Sequence, residues 1–265
     1  MNSSRILPAL VALAATASPL SLVAQVTTNA SDNSANYGGA GQPGWTDGAN
    51  AGFGFSSWSL TNNPGTAPGG SATTGISSNP GAVVQGMGSD AFRMWAYTTN
   101  AASVAQRSFL SPLAAGQTFS LQWGINFDSG NIGGNKGFVL LSGTNQLVNV
   151  NNGNSSAITF NTSNVGFGYG NNAMTWSFTM DDATTLSVLA NDRDGTGTFT
   201  TNLTIGSQID TFRFYITSQQ DNNISRYQYF DDLQITTVPE PSTWALMAAG
   251  LAAVAFHRLR RKRQS

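Results

Sequence analysis

The chain has 265 residues, of which only 9% are Asp, Glu, Lys or Arg, far below the roughly 25% of ordinary soluble domains. It is rich in Gly (29) and Asn (25), but it also holds 15 Phe, 6 Trp and 6 Tyr, too many rings needing burial for a disordered chain. Cysteine is absent and the one histidine, His257, lies in a basic C-terminal tail; disulfide scaffolds, thiolate metal sites and imidazole-based triads in the main body are thereby excluded.

Residues 1–24 combine Arg5, an apolar run over Ile6–Ala17 interrupted by Pro8, and small residues ending at Ala24. That is the pattern of a secretory signal peptide, which makes signal peptidase an expected partner. Residues 25–52 are Gly/Asn-rich, with Trp45, and read as a leader or an edge segment. A first strand is expected at Phe53–Leu60. Residues 61–81 read as turns, because Pro64-Gly65, Pro68-Gly69 and Pro80-Gly81 punctuate them.

From there short segments rich in β-branched and aromatic residues recur: Ala91–Thr98, Ser103–Leu110, Thr118–Phe127, Gly137–Ser142, Gln146–Val150, Ala157–Asn161, Met174–Met180, Thr185–Ala190, Gly197–Leu203, Thr211–Thr217 and Tyr227–Thr236. Over residues 53–237 they predict one all-β domain, a β-sandwich of jelly-roll type. Several alternate with period two. Phe119, Leu121, Trp123 and Ile125 should face inward together, as should Trp176 and Phe178, and Phe212, Phe214 and Ile216. In the closing strand the same rule puts Tyr227, Tyr229, Leu233 and Ile235 on one face, with Asp231 among them. A core-facing carboxylate needs hydrogen bonds or a cation. This ten-residue strand resembles the last strand of jelly-roll carbohydrate-binding or lectin-like domains, a generic resemblance that speaks to fold more than to ligand.

Candidate sites are few. Asp192 and Asp194 lie in an Asn-Asp-Arg-Asp-Gly-Thr-Gly loop that superficially resembles a calcium loop, but Leu203 stands where an EF-hand would need its twelfth-position acid. A hairpin turn is the plainer reading there, as it is for Asp181-Asp182. Asp231-Asp232 is the other candidate calcium pair. Arg93, Trp95 and Tyr97 share one side of their strand and would form a polar–aromatic sugar platform if exposed. The only Glu is Glu240, no separated carboxylate pair suggests a glycosidase, and no phosphate loop precedes a helix. The body is therefore expected not to be an enzyme.

The C-terminus reads Val238-Pro239-Glu240-Pro241-Ser242, then an uncharged segment at 244–256, then Arg258, Arg260, Arg261, Lys262 and Arg263. An apolar helix at 244–256 is short for a membrane span, but with its flanks and a snorkelling Arg258 it approaches the need of a thin bilayer. This end closely resembles the PEP-CTERM sorting signal of Gram-negative bacteria. The resemblance implies recognition by exosortase, a multi-pass membrane cysteine protease or transpeptidase. It also implies transient inner-membrane anchoring, a final place at the cell surface or outside the cell, and an association with exopolysaccharide and biofilm. A structural role in that matrix is the expected function, and non-catalytic carbohydrate binding, with calcium as a candidate cofactor, is the alternative. With both ends removed, residues 25–238 hold 12 Asp against six basic residues. Nucleic acid is thus not an expected partner.

Intact-mass measurement of the exported protein checks the processing. The expected species lacks residues 1–24 and the Arg258–Arg263 tail; a species that retains either segment contradicts the corresponding cleavage.

Overall fold

In the computed structural model, the structure describes residues 25–38, 44–126, 134–153, 156–170, 172–191, 197–219, 224–238 and 250. The signal-peptide segment, residues 239–242 of the sorting signal, the apolar segment at 244–256 apart from Gly250, and the basic tail lie outside them. Among the described residues no helix is long and apolar enough to cross a membrane.

The described residues form fifteen strands: β1 (Thr27–Asp32), β2 (Ser59–Asn63), β3 (Ser71–Ser77), β4 (Ala91–Tyr97), β5 (Ala102–Ser108), β6 (Gln117–Ile125), β7 (Asn135–Ser142), β8 (Asn145–Gly153), β9 (Ala157–Phe160), β10 (Ser163–Gly168), β11 (Met174–Met180), β12 (Thr185–Asn191), β13 (Thr198–Thr204), β14 (Thr211–Thr217) and β15 (Gln228–Thr237). Two antiparallel sheets result. The first has the order β13-β12-β11-β6-β15-β4-β3, with β1 also paired to β15; the second has the order β10-β9-β8-β7-β14-β5-β2. The chain crosses between sheets repeatedly, from β4 to β5 and back to β6, from β6 to β7, and from β13 to β14 and back to β15 among others, interleaving the layers as a jelly-roll sandwich does.

The period-two strands build the core. Phe119, Leu121, Trp123, Ile125, Trp176, Phe178, Phe212, Phe214 and Ile216 are all buried, each such large side chain contributing roughly 1.5–3 kcal/mol of transfer free energy. Rings from the two sheets meet directly. Phe214 of β14 stacks on Phe230 of β15 at 3.6 Å between centroids, and Phe119 of β6 on Phe212 of β14 at 5.1 Å.

The polar strands depart from the sequence reading. β1, β3 and β10 lie in stretches without an alternating signal, and their side chains are mostly half-buried or exposed. The expected strand at Phe53–Leu60 is displaced to β2. Phe53 and Phe55 make only isolated bridges, to Ser31 and Phe109. Gly54 explains the shift: its φ is +79°, and a Cβ there would come within 2.3 Å of the Ala30 Cβ, so the backbone bends tightly against β1 instead of continuing as a strand.

The segment around β1 is fastened by a buried ion pair. Asp32, at the end of β1, meets the Arg107 guanidinium of β5. Arg107 also donates to the Ser56 carbonyl and to the Asn50 side chain, and it lies over the Phe55 and Trp58 rings at 5.2 and 5.4 Å. The Tyr37 hydroxyl donates to Asp32 at 2.8 Å and accepts from Trp58 Nε1 and the Ala51 amide, both at 3.1 Å. Burial raises the Tyr37 pKa above its ordinary value. Arg107→Met should cost about 3–5 kcal/mol, because it strands a buried carboxylate. Urea denaturation is expected to show this loss, with much of it recovered in the Asp32→Asn/Arg107→Met double variant.

Candidate functional site

β4 alternates cleanly: Phe92, Met94 and Ala96 are buried, while Arg93, Trp95 and Tyr97 are half-buried on the outer face of the first sheet. The structure thus brings together the three residues singled out from the sequence. The Trp95 and Tyr97 rings lie 5.9 Å apart and within 11° of parallel. Neighbouring β3 sets Ser71 opposite Tyr97, Thr73 opposite Trp95 and Gly75 opposite Arg93. The missing side chain of Gly75 leaves space that the Arg93 guanidinium borders, 3.6 Å from where a Cβ would stand.

Tyr227 joins this group, a residue that the alternation rule had placed with Leu233 and Ile235. Its ring is 5.5 Å from Trp95 and 5.7 Å from the Arg93 guanidinium carbon. The cause is a bulge in β15. Pairing with β6 slips between Asp231 and Gln234, and Asp232 takes a positive φ of 50°, so one extra residue flips the phase. Before the bulge, Phe230 faces the inter-sheet core, while Tyr229 packs with Val83, Val84, Met87 and Ala91 in a separate cluster, with Tyr227 against it; after it, Leu233 and Ile235 face the core. Burial pushes the Tyr229 hydroxyl up to about 12. The row of rings is thus covered at its Tyr229 end and partly open at Trp95 and Tyr97. Flat rings beside a guanidinium and the hydroxyls of β3 can take the apolar face of a sugar and orient its hydroxyls. Trp45 and Trp58 are buried in the core and take no part in this face.

The candidate calcium residues fall in two places. Asp231 is buried in the bulge, where it accepts from the Ser34 amide at 2.7 Å and the Ser34 hydroxyl at 2.8 Å. Asp232 beside it is exposed. Asp192 and Asp194 lie outside the described residues, between β12 and β13, which pair antiparallel with Asn191 opposite Thr198. Asp182 closes a turn by accepting from the Thr184 and Thr185 amides, and these bonds hold its carboxyl below the usual value. Among the described residues no group of three or more acidic or histidine side chains could hold a metal ion.

Residues 237–262 match the family model of the PEP-CTERM protein-sorting motif, so the chain carries that motif from the last residue of β15 onward. The motif implies an exosortase-sorted surface protein. No curated protein matches the chain. Among solved structures, it is similar to the enzymatically active domain of bacteriophage CBA120 tailspike protein 4, at 13% identity and a TM-score of 0.34, over 67% of this chain but only 19% of that one. A carbohydrate esterase from the Shiga toxin-encoding bacteriophage phi24B is similar at 10% identity and a TM-score of 0.43, over 68% of this chain and 89% of that one. The calcium-bound exoplasmic/lumenal domain of VIP36 is similar at 7% identity and a TM-score of 0.41, over 70% and 84%. At these values the similarity assigns no ligand, metal or activity to the chain.

Asp231 gives the site a pH signature. Burial pushes its carboxyl from the ordinary 3.8 up to about 7, against the lowering effect of the Ser34 bonds. Between those values the folded protein holds a proton that the unfolded chain has released. The resulting stability is complete below about pH 4 and is lost as pH rises toward 7. Asp231→Asn keeps an acceptor for the Ser34 amide and should flatten this slope, as chemical denaturation across pH 4–8 would register.

Proposed function

We propose that the chain is an exported, exosortase-sorted protein of the cell surface or extracellular matrix, whose sandwich serves as a non-catalytic structural component of a biofilm or exopolysaccharide matrix. The observation that carries this reading is the sorting motif that starts at residue 237, the last residue of β15. On this reading exosortase is the processing partner and the inner membrane of a Gram-negative bacterium the transient anchor, while signal peptidase acts at the other end and cuts after Ala24. Residues 25–238 contain no His, Cys or Glu, which supports a body without catalytic groups.

A second reading is favoured by the outer face of β4. There, Arg93, Trp95 and Tyr97 would bind a glycan, with calcium contributed through Asp231 and Asp232 or through Asp192 and Asp194. The two readings differ physically, since a lectin needs an ordered site and a scaffold needs only a stable fold. A glycan array run with calcium and with a chelator separates them. The structural reading expects no saturable binding from a protein with an intact far-UV spectrum. Saturable binding that is lost in Trp95→Ala would overturn it in favour of the lectin, and loss on chelation would assign calcium a part.

A further inference from the structure

Both ends of the sandwich leave from one place. β1 and β15 are antiparallel neighbours with Thr27 opposite Thr237, so the next residues outward, Val26 and Val238, end the pair together. A groove of about 260 Å³ lies alongside, lined by Asn29, Ala30, Gly54, Leu110, Gln117 and Ile235. Phe53 is fixed beside this groove by two 3.0 Å backbone bonds to Ser31, and Leu110 by a 3.1 Å bond to the Gly54 carbonyl. Leu110 is 69% exposed, Phe53 55%, Val26 54% and Val238 53%. These are four of the five large apolar side chains exposed among the described residues; the fifth, Leu189, is on β12, three strands away from β15.

The segments that carry these four side chains hold no charge: residues 25–31, 53–57, 109–117 and 233–238 include no Asp, Glu, Lys or Arg. The nearest carboxylates flank them, Asp210 next to Phe109 and the Asp181-Asp182 turn next to Gly116. The uncharged C-terminal segment starts at Trp244, six residues beyond Val238, and six residues span at most about 20 Å. While that segment is in the membrane, this end cannot leave the bilayer surface by more than that distance.

We propose that the apolar patch formed by Val26, Phe53, Leu110 and Val238 docks on the lipid surface while the C-terminal segment is membrane-anchored. The inference rests on reading the C-terminus as a membrane segment. The apolar side chains enter the boundary between headgroups and acyl chains.

The chain contains no cysteine, so single substitutions give unique labelling sites. The chain from Gln25 to Ser265 carrying Phe53→Cys, Leu110→Cys or Leu189→Cys, each labelled with a nitroxide, would be placed in vesicles of phosphatidylethanolamine and phosphatidylglycerol. Labels at 53 and 110 should be several-fold more accessible to oxygen than to a water-soluble nickel complex, and the label at 189 should show the reverse. Val238→Cys replaces either variant if its far-UV spectrum departs from that of the parent. Labels at 53 and 110 as water-accessible as the one at 189, in protein that floats with the vesicles, would overturn the docking alone. Protection that rises with the protein-to-lipid ratio would overturn it in favour of a second copy of the chain. Failure of the chain from Gln25 to Ser265 to float with vesicles would overturn the membrane reading of the C-terminus and the docking with it.

Discussion

The Asp32–Arg107 ion pair is the constraint from which the arrangement of the N-terminal third follows. Its two members come from different sheets, Asp32 from β1 and Arg107 from β5. A buried pair of this kind is stabilising only when its remaining hydrogen-bonding capacity is filled. Here the surrounding segment fills it: Ser56 and Asn50 occupy the guanidinium, while Asn33, Asn36 and Tyr37 satisfy the carboxylate. The Gly/Asn-rich stretch before β2 is therefore ordered by the groups it supplies to one ion pair. Trp45 and Trp58 then close over it, edge to face at 5.4 Å.

That fastening also decides where β15 is interrupted. β15 pairs with β6 on one side; on the other it pairs with β4 through Gln228–Phe230 and with β1 through Leu233–Thr237. The handover from β4 to β1 falls at Asp231 and Asp232. Asp231 turns into the gap and takes the amide and hydroxyl of Ser34, two residues beyond Asp32. The bulge thus caps the end of β1 and at the same time re-aims Tyr227 and Tyr229 outward, beside Trp95. The aromatic face of the first sheet depends on an irregularity seated some distance from it.

Legibility in the sequence followed burial. β14 was readable to its ends, Thr211–Thr217, because Phe212, Phe214 and Ile216 alternate with Arg213 and Tyr215 under a covered face. β3 was not: Ser71–Ser77 lies at a sheet edge, and six of its seven side chains are half-buried, so no contrast marks its two faces. Arg93, Trp95 and Tyr97 were legible as a set because one regular strand carries all three. Tyr227 was not legible with them, since a one-residue slip reverses every assignment upstream of it. The adjacent Asp231 and Asp232 in an otherwise apolar strand were the available signal. Two acidic residues together suit a bulge, where one can take a positive φ and the other fill the unpaired gap, better than a continuous ladder.

The scarcity of charge completes the picture, because five of the few charges are used inside. Asp32, Arg107, Lys136, Arg226 and Asp231 are all buried, although such residues are almost never fully buried unless paired. Each sits where a segment next to β15 must be tied down. The Lys136 ammonium donates to the Arg226 carbonyl at 3.1 Å, joining β7 to the short turn at Ile224–Arg226 that feeds β15. Asp231 holds the bulge in mid-strand, and Asp32 with Arg107 anchors the strand that pairs with its C-terminal half. Outside, Thr, Ser and Asn carry the work of solvation. A fold fastened in this way draws its electrostatic stability from groups that bulk ions do not reach, so it is screened far less by salt than one laced by surface ion pairs.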